Sequence, residues 1–243
     1  MTDTLANSIK SLFAEKQSLK TNEILGFLKA QYPGLVESTL RWRLYELKDK
    51  GIIKQMGRGL YALNRKLGYC PELSTTLKRL HGIVAKSYPL VTFCVWDSHW
   101  LNEFMVHQAF KHFYVIEVEK DAAESVFYKL SEKNKNVFLN PKTEIFDQYI
   151  VNYDEAIIIE SLISESPLQK VNKYSIPSLE KLLVDCIVGD EIFAAQQNDL
   201  DYIIQTAFER YNINPGKMKR YANRRNIKDK VELTLNKYSA NII

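Results

Sequence analysis

The chain has 243 residues, 46% of them hydrophobic and 26% charged, with a formal net charge of +4. Those proportions lie near the globular averages of about 45–50% and 25%, which argues against a disordered or fibrous polypeptide, and the length exceeds that of one small peptide-like domain. No apolar run approaches the ~18 residues of a membrane helix. Residues 1 to 20 carry Asp3, Lys10, Glu15, Lys16 and Lys20 where a signal peptide would be apolar, so the expectation is a cytoplasmic protein with no membrane partner.

In chain order, Leu5, Ile9, Leu12 and Phe13 recur at i, i+4, i+7 and i+8, one face of a first helix, with Asp3 or Thr4 as its cap. A second helix begins near Thr21, turns Ile24, Leu25 and Leu28 inward, and stops around Pro33–Gly34, because proline cannot continue a helix and glycine tolerates the exit geometry. A third runs from Glu37 toward Gly51, with Ser38 as cap and Leu40, Leu44 and Leu47 toward the core. On a wheel of ~100° per residue the opposite face carries Ser38, Trp42 and Tyr45, flanked by Arg41 and Glu46. A solvated face would be Lys and Glu; serine, arginine and two aromatics instead offer the hydrogen bonds and stacking surface of a groove-reading helix. The alternative is that Trp42 and Tyr45 pack on a neighbouring domain. Residues 51 to 63 then read as two short strands around Met56-Gly57-Arg58-Gly59, a hairpin with Arg58 at its tip.

Three helices followed by a basic hairpin is the order of a winged helix-turn-helix, here assigned to residues 1–66. The candidate DNA-binding residues are Ser38, Thr39, Arg41, Trp42 and Tyr45 for groove contacts. Arg43, on the core flank, is assigned to a phosphate, and Arg58, with Lys54 secondary, to the backbone or a narrow minor groove.

In residues 67–243, apolar runs at 90–96, 113–118, 137–139 and 156–159 are rich in Val, Ile and Phe and short enough for strands. Helix-like stretches at 120–133 and 143–150 separate them, so an α/β sheet is expected over about 88–172. The overall class is α+β, with a helical region over about 177–238. There, Leu179, Leu182, Leu183, Cys186 and Ile187 form one apolar stripe, and Leu200, Ile203, Ile204, Ala207, Phe208 and Tyr211 another. Asn214 can cap a further helix with Pro215 at its first position, after which Lys217, Arg220 and Arg224 share a face thickened by Lys219, Arg225, Lys228 and Lys230. That stripe is a candidate second phosphate-contacting surface, a dock for an acidic protein, or a solvated helical end. The charge is partitioned accordingly: residues 1–66 carry a net +6, residues 67–209 a net −9 and residues 210–243 a net +7. A polyanion would meet the two ends and be repelled by the middle.

Catalytic and metal signatures are weak. Cys70, Cys94 and Cys186 are odd in number and far apart, as expected of buried small hydrophobes rather than a zinc or redox site. His81, His99, His107 and His112 lack the spacing that puts two imidazoles on one metal. Gly82 to Lys86-Ser87 lacks the second glycine of a phosphate loop, and neither a Gly-x-Ser-x-Gly elbow nor a Gly-Ser with a paired Asp-x-Asp occurs. Glu180 and Asp185 suit a cap or an ion pair with Lys181. The expectation is a binding protein with no cofactor and no metal. The rival is a metal-dependent nuclease built on Asp97 and Glu117-Val-Glu119-Lys120, in which Lys120 falls on the wrong strand face for a cation-bound water. A third reading is a protein-interaction adaptor.

Three segments resemble the AbiEi-type antitoxins. Gly51-Ile-Ile-Lys-Gln-Met-Gly-Arg-Gly-Leu-Tyr61 is similar to that family's Gly-Ile-x-Arg-x-x-Arg-Gly-x-Tyr wing, and Ile176-Pro-Ser-Leu-Glu-Lys-Leu-Leu-Val-Asp185 resembles its Pro-x-x-Glu-Arg-x-x-x-Asp segment, with Lys181 where arginine is more usual. Tyr221-Ala-Asn-Arg-Arg-Asn226 looks like its last basic helices. The match over residues 70 to 170 is loose. The resemblance implies the autorepressing antitoxin of a type IV toxin–antitoxin pair. Such a protein binds double-stranded operator DNA at inverted repeats, as a homodimer if the repeats are filled together. It counteracts a nucleotidyltransferase-like toxin functionally rather than by stable binding.

Overall fold

The computed structural model describes residues 2–13, 16–64 and 66–239. It is a mixed α+β structure that divides into two compact units, Met1–Gly68 with Arg210–Asn214, and Tyr69–Glu209 with Pro215–Ile243. The first unit therefore differs from the expected 1–66 in having a second piece of chain. Leu67 N–H donates to the Arg210 carbonyl at 3.3 Å, Asn212 N–H to the Leu67 carbonyl at 2.8 Å, and the Asn214 amide to Asp49 at 3.4 Å.

In the first unit, α1 (Thr2–Leu12), α2 (Thr21–Gln31) and α3 (Glu37–Asp49) bury Leu5, Ile9, Ile24, Leu28, Leu40, Leu44 and Leu47 in one core, each large aliphatic side chain worth about 1.5–3 kcal/mol of transfer free energy. Helix α1 starts at Thr2, so Asp3 and Thr4 lie in its first turn rather than before it. The expected Ser38 cap is also corrected: Val36 is the N-cap, its carbonyl accepting the Thr39 and Leu40 N–H groups at 3.0 and 3.2 Å. Ser38 sits in the first turn beside Glu37, whose charge suits the positive helix end. At the other end Gly51, at φ +65°, lets Ile52 N–H reach the Leu47 carbonyl at 2.9 Å and closes the helix.

Strands β2 (Ile53–Gly57) and β3 (Leu60–Leu63) form the expected hairpin, irregular between Gln55 and Gly57. Gly59 takes the positive φ of +70° that the turn needs. A strand missed in the sequence, β1 (Leu19–Lys20), pairs antiparallel with β3 and gives the order β1-β3-β2. It leads directly into α2, where Glu23 accepts the Lys20 N–H at 2.7 Å and Thr21 N–H donates to the Gly59 carbonyl at 2.9 Å.

The second unit begins with α4 (Thr75–Ser87), whose Ser74 hydroxyl accepts the Leu77 N–H at 3.1 Å. A four-stranded sheet follows from β4 (Phe93–Asp97), β5 (His112–Val118), β6 (Val137–Leu139) and β7 (Glu155–Ser161). Its order is β4-β5-β7-β6, with β5, β7 and β6 mutually parallel and β4 antiparallel at the edge. Helix α5 (Ala123–Ser131) connects β5 to β6, and α6 (Thr143–Gln148) connects β6 to β7. These are the four strands read from the sequence. A hairpin, β8 (Leu168–Val171) and β9 (Tyr174–Pro177), precedes α7 (Leu179–Val188), so Pro177 ends a strand rather than opening the helix. A 3-10 segment, Glu191–Asp199, then leads to α8 (Leu200–Arg210), α9 (Pro215–Arg224) and α10 (Lys228–Ser239).

Strand alternation assigns the sheet's two faces different work. Phe93, Val95, Tyr114, Ile116, Val118, Ile157 and Ile159 pack against α4 and α5. The opposite face presents Trp96, Val115, Glu117, Ile158 and Glu160 toward α7, every residue of which from Leu179 to Ile187 is buried. Among the described residues no helix is long and apolar enough to cross a membrane.

Candidate functional site

Leu40, Leu44 and Leu47 anchor α3 by one stripe, so its opposite face is left to solvent. Trp42 and Tyr45 are 59% and 57% exposed, large values for aromatic rings. Ser38 and Arg41 are exposed beside them and Thr39 is half-buried. Arg41 is bridged to Glu37 one turn back at 2.7 Å, with both side chains open to water; such a pair is worth only a few tenths of a kcal/mol and yields readily to another anion. Arg43, expected to meet a phosphate, lies with its guanidinium 4.6 Å from the Tyr32 ring centre and its Nε buried without a hydrogen-bond partner among the described residues. Arg58 is exposed at the hairpin tip and Lys54 half-buried on β2, neither in an ion pair among the described residues.

The second basic surface keeps part of its charge, because its ion pairs are open to water and of the same weak kind as Arg41–Glu37. Arg224 pairs with Glu165, Lys219 with Glu232 at 3.4 Å, and Lys237 with Asp201 at 2.9 Å. Arg225 does not belong to that surface at all: it turns inward, bonded to Asp190 and 3.4 Å from Asp185. Helix α9 buries Met218, Tyr221 and Ala222, and Lys217 is half-buried. Arg220 and Lys228 stay exposed without an ion pair among the described residues.

Arg225 leads to a pocket that no local motif announces. Glu117 on β5 and Glu160 on β7 are in-register neighbours on adjacent parallel strands. Glu117 receives a hydrogen bond from Trp96 Nε1 at 2.7 Å and is clasped by Lys181 Nζ at 2.6 Å; Lys181 also bonds Asp185 at 2.7 Å. Tyr221 donates to Asp185 at 3.0 Å. Burial works to depress the Lys181 pKa, but Asp185 and Glu117 together hold it well above the usual lysine value. Each carboxylate of this buried cluster thus has a charged and a neutral donor. Glu160 has no such partner among the described residues: burial first, then the charges of Glu117, Asp190 and Glu191, push its carboxyl up to about 7, against the lowering pull of Arg225. The cavity in front of it measures about 160 Å³ and is walled by Trp96 stacked on Phe193, with ring centres 5.4 Å apart, and by Phe146, Tyr221 and Asn140.

The nuclease constellation is not brought together. Asp97 follows Val95 on the sheet face toward α4 and α5, whereas Glu117 points to α7, and Glu119 and Lys120 lie beyond the strand in solvent. Asp97 instead caps the turn after β4, accepting the His99 N–H at 2.9 Å, and stands 3.9 Å from His112. His81 packs on Phe93 and Tyr174. Among the described residues no group of three His, Cys, Asp or Glu is arranged to hold a metal. Cys94 and Cys186 are buried, but Cys70 is exposed, contrary to expectation.

The fold and sites define a two-unit α+β protein with a helical, hairpin-bearing first unit and a pocketed α/β second unit. The chain belongs to a family described as of unknown function, DUF6577, whose model matches residues 39–241. No curated protein matches it.

Proposed function

We propose that the protein is a DNA-binding transcriptional regulator whose first unit is a winged helix-turn-helix, with α3 as the recognition helix and the β2–β3 hairpin as the wing. The carrying observation is the exposed Ser38, Arg41, Trp42 and Tyr45 face of α3 in a unit that also presents Arg58 at the tip of a hairpin. The net charge of +6 over residues 1–66 favours the same partner. The resemblance of residues 51–61 and 176–185 to AbiEi-type antitoxins extends this reading to an autorepressor of a type IV toxin–antitoxin operon. It would work in the cytoplasm, bind inverted repeats as a homodimer, and counteract a nucleotidyltransferase-like toxin without a stable complex.

The roles separate by experiment. Arg58→Ala weakens binding to every duplex and shallows the salt dependence by about one unit of slope, because it removes a phosphate or minor-groove cation. Arg41→Ala, after loss of the Glu37 bridge is controlled by Glu37→Gln, changes preference at one base pair by roughly 1–3 kcal/mol. Electrophoretic shifts at several salt concentrations measure both. Unchanged duplex affinity in both variants would remove the assignment of this unit.

A further inference from the structure

We propose that the pocket at the carboxyl ends of β5, β6 and β7 binds a small primary amine, its ammonium group resting on the Glu160 carboxylate between aromatic walls. The placement is the first argument. Glu117 is the penultimate residue of β5 and Glu160 of β7, and Asn140 immediately follows β6, so three parallel strands deliver their ends to one edge. The edge beyond the carboxyl ends of parallel strands is where open α/β sheets bind ligands. Asn140 is fixed there at φ +40° by accepting the Ser161 N–H on its side chain at 3.2 Å and donating its own N–H to the Ile159 carbonyl at 2.8 Å.

Charge selects the ligand class. The groups facing Glu160 are Glu117 on β5, Lys181 and Asp185 on α7, Asp190 and Glu191 after α7, and Tyr221 and Arg225 at the end of α9. Lys181 is shared by Glu117 and Asp185, and Arg225 by Asp185 and Asp190. Glu191 takes a hydrogen bond from Thr143 at 2.6 Å. Among the described residues every carboxylate of this pocket but Glu160 therefore has a donor, and the excess charge is negative. An anion is repelled, and the carboxylates lack the arrangement that would hold a metal ion. An organic ammonium supplies the missing charge with N–H donors, and the Trp96–Phe193 pair and Tyr221 give its carbon chain apolar, quadrupolar surface. The volume of about 160 Å³ is close to that of a cavity of roughly 150 Å³ that holds one small ring, room for a short aliphatic amine.

The proposal does not rest on DNA binding by the first unit, and its test needs no DNA. Titration calorimetry and thermal melting of the full chain with 1,4-diaminobutane are compared for wild type and Glu160→Gln, with magnesium chloride and inorganic phosphate as the competing probes. Wild type should bind the diamine and melt higher in its presence. Glu160→Gln, folded by circular dichroism, should bind at least about tenfold more weakly. The diamine stays charged from pH 6 to 8, so its affinity for wild type should fall about tenfold on going from pH 8 to pH 6 as Glu160 takes up a proton. That pH dependence stands as a test in the wild-type chain even if the variant is unstable. Equal affinity of the two proteins, a flat pH profile, binding of magnesium or phosphate in place of the diamine, or no heat and no melting shift at about 10 mM amine would each overturn the assignment.

Discussion

Glu117 and Glu160 show how far neighbouring residues of one type diverge when only one has a counter-charge. Lys181 is 1% exposed, and an unpaired ammonium at such depth would cost several kcal/mol; Glu117 and Asp185 remove that penalty, and the three stand or fall together. Glu160 lies outside the trio and is destabilising when ionised. Its folded pKa of about 7 exceeds the ordinary 4.5, so the folded state holds its proton more tightly than the unfolded chain. The stability associated with that proton is complete below pH 4.5 and is lost as pH rises through 7. At about 1.4 kcal/mol per pKa unit the loss is on the order of 3 kcal/mol. Glu160→Gln should therefore match wild type near pH 4.5 and exceed it at pH 8, as measured by urea denaturation at both pH values. Parallel stability curves for the two proteins would show that the carboxyl is not perturbed.

At the scale of elements, the end of α3 is the sharpest constraint. Gly51 combines φ +65° with a position where a Cβ would overlap the Asn212 side-chain amide. Gly51→Ala should lower the unfolding free energy measured by urea denaturation by more than the roughly 1 kcal/mol that a left-handed alanine costs. Combining it with Asn212→Ala should restore the steric part and leave the conformational part. Full recovery in the double variant would mean that the backbone carries no strain.

Gly51 was legible as a stop because helix spacing and a glycine agree locally, and β4 to β7 were legible because buried strands concentrate Val, Ile and Phe. Helix α4 was less legible: Leu77, Leu80 and Val84 follow helical spacing, but Gly82 interrupts the run with a poor helix former. The β8–β9 hairpin escaped because Gln169, Lys170, Asn172 and Lys173 break any alternation, and its turn needs Asn172 at φ +56°. The pocket was illegible for a different reason: Trp96, Glu117, Glu160, Asp185 and Arg225 come from five places, joined by strand register and helix docking. A trace did exist, in single glutamates set within the apolar runs of β5 and β7, a pattern that buries charge and demands an explanation.

For the whole molecule, the division into units governs how it can be dissected. The 1–66 boundary drawn from sequence omits Leu67 and the returning segment Arg210–Asn214, and with them the Leu67 bridge to Tyr211 and the Asn214 bond to Asp49. A 1–66 fragment should retain α1 to α3 by circular dichroism but unfold at lower denaturant than a chain in which residues 210–214 are rejoined by a short linker after Gly68. Equal midpoints would make the returning segment energetically irrelevant.

That returning strip also imposes a timetable on biosynthesis. More than 140 codons separate Gly68 from Arg210, on the order of ten seconds or more of translation at ~5–20 residues per second. The unit that emerges from the ribosome first is thus sealed nearly last, and a nascent or prematurely terminated polypeptide lacks its seal.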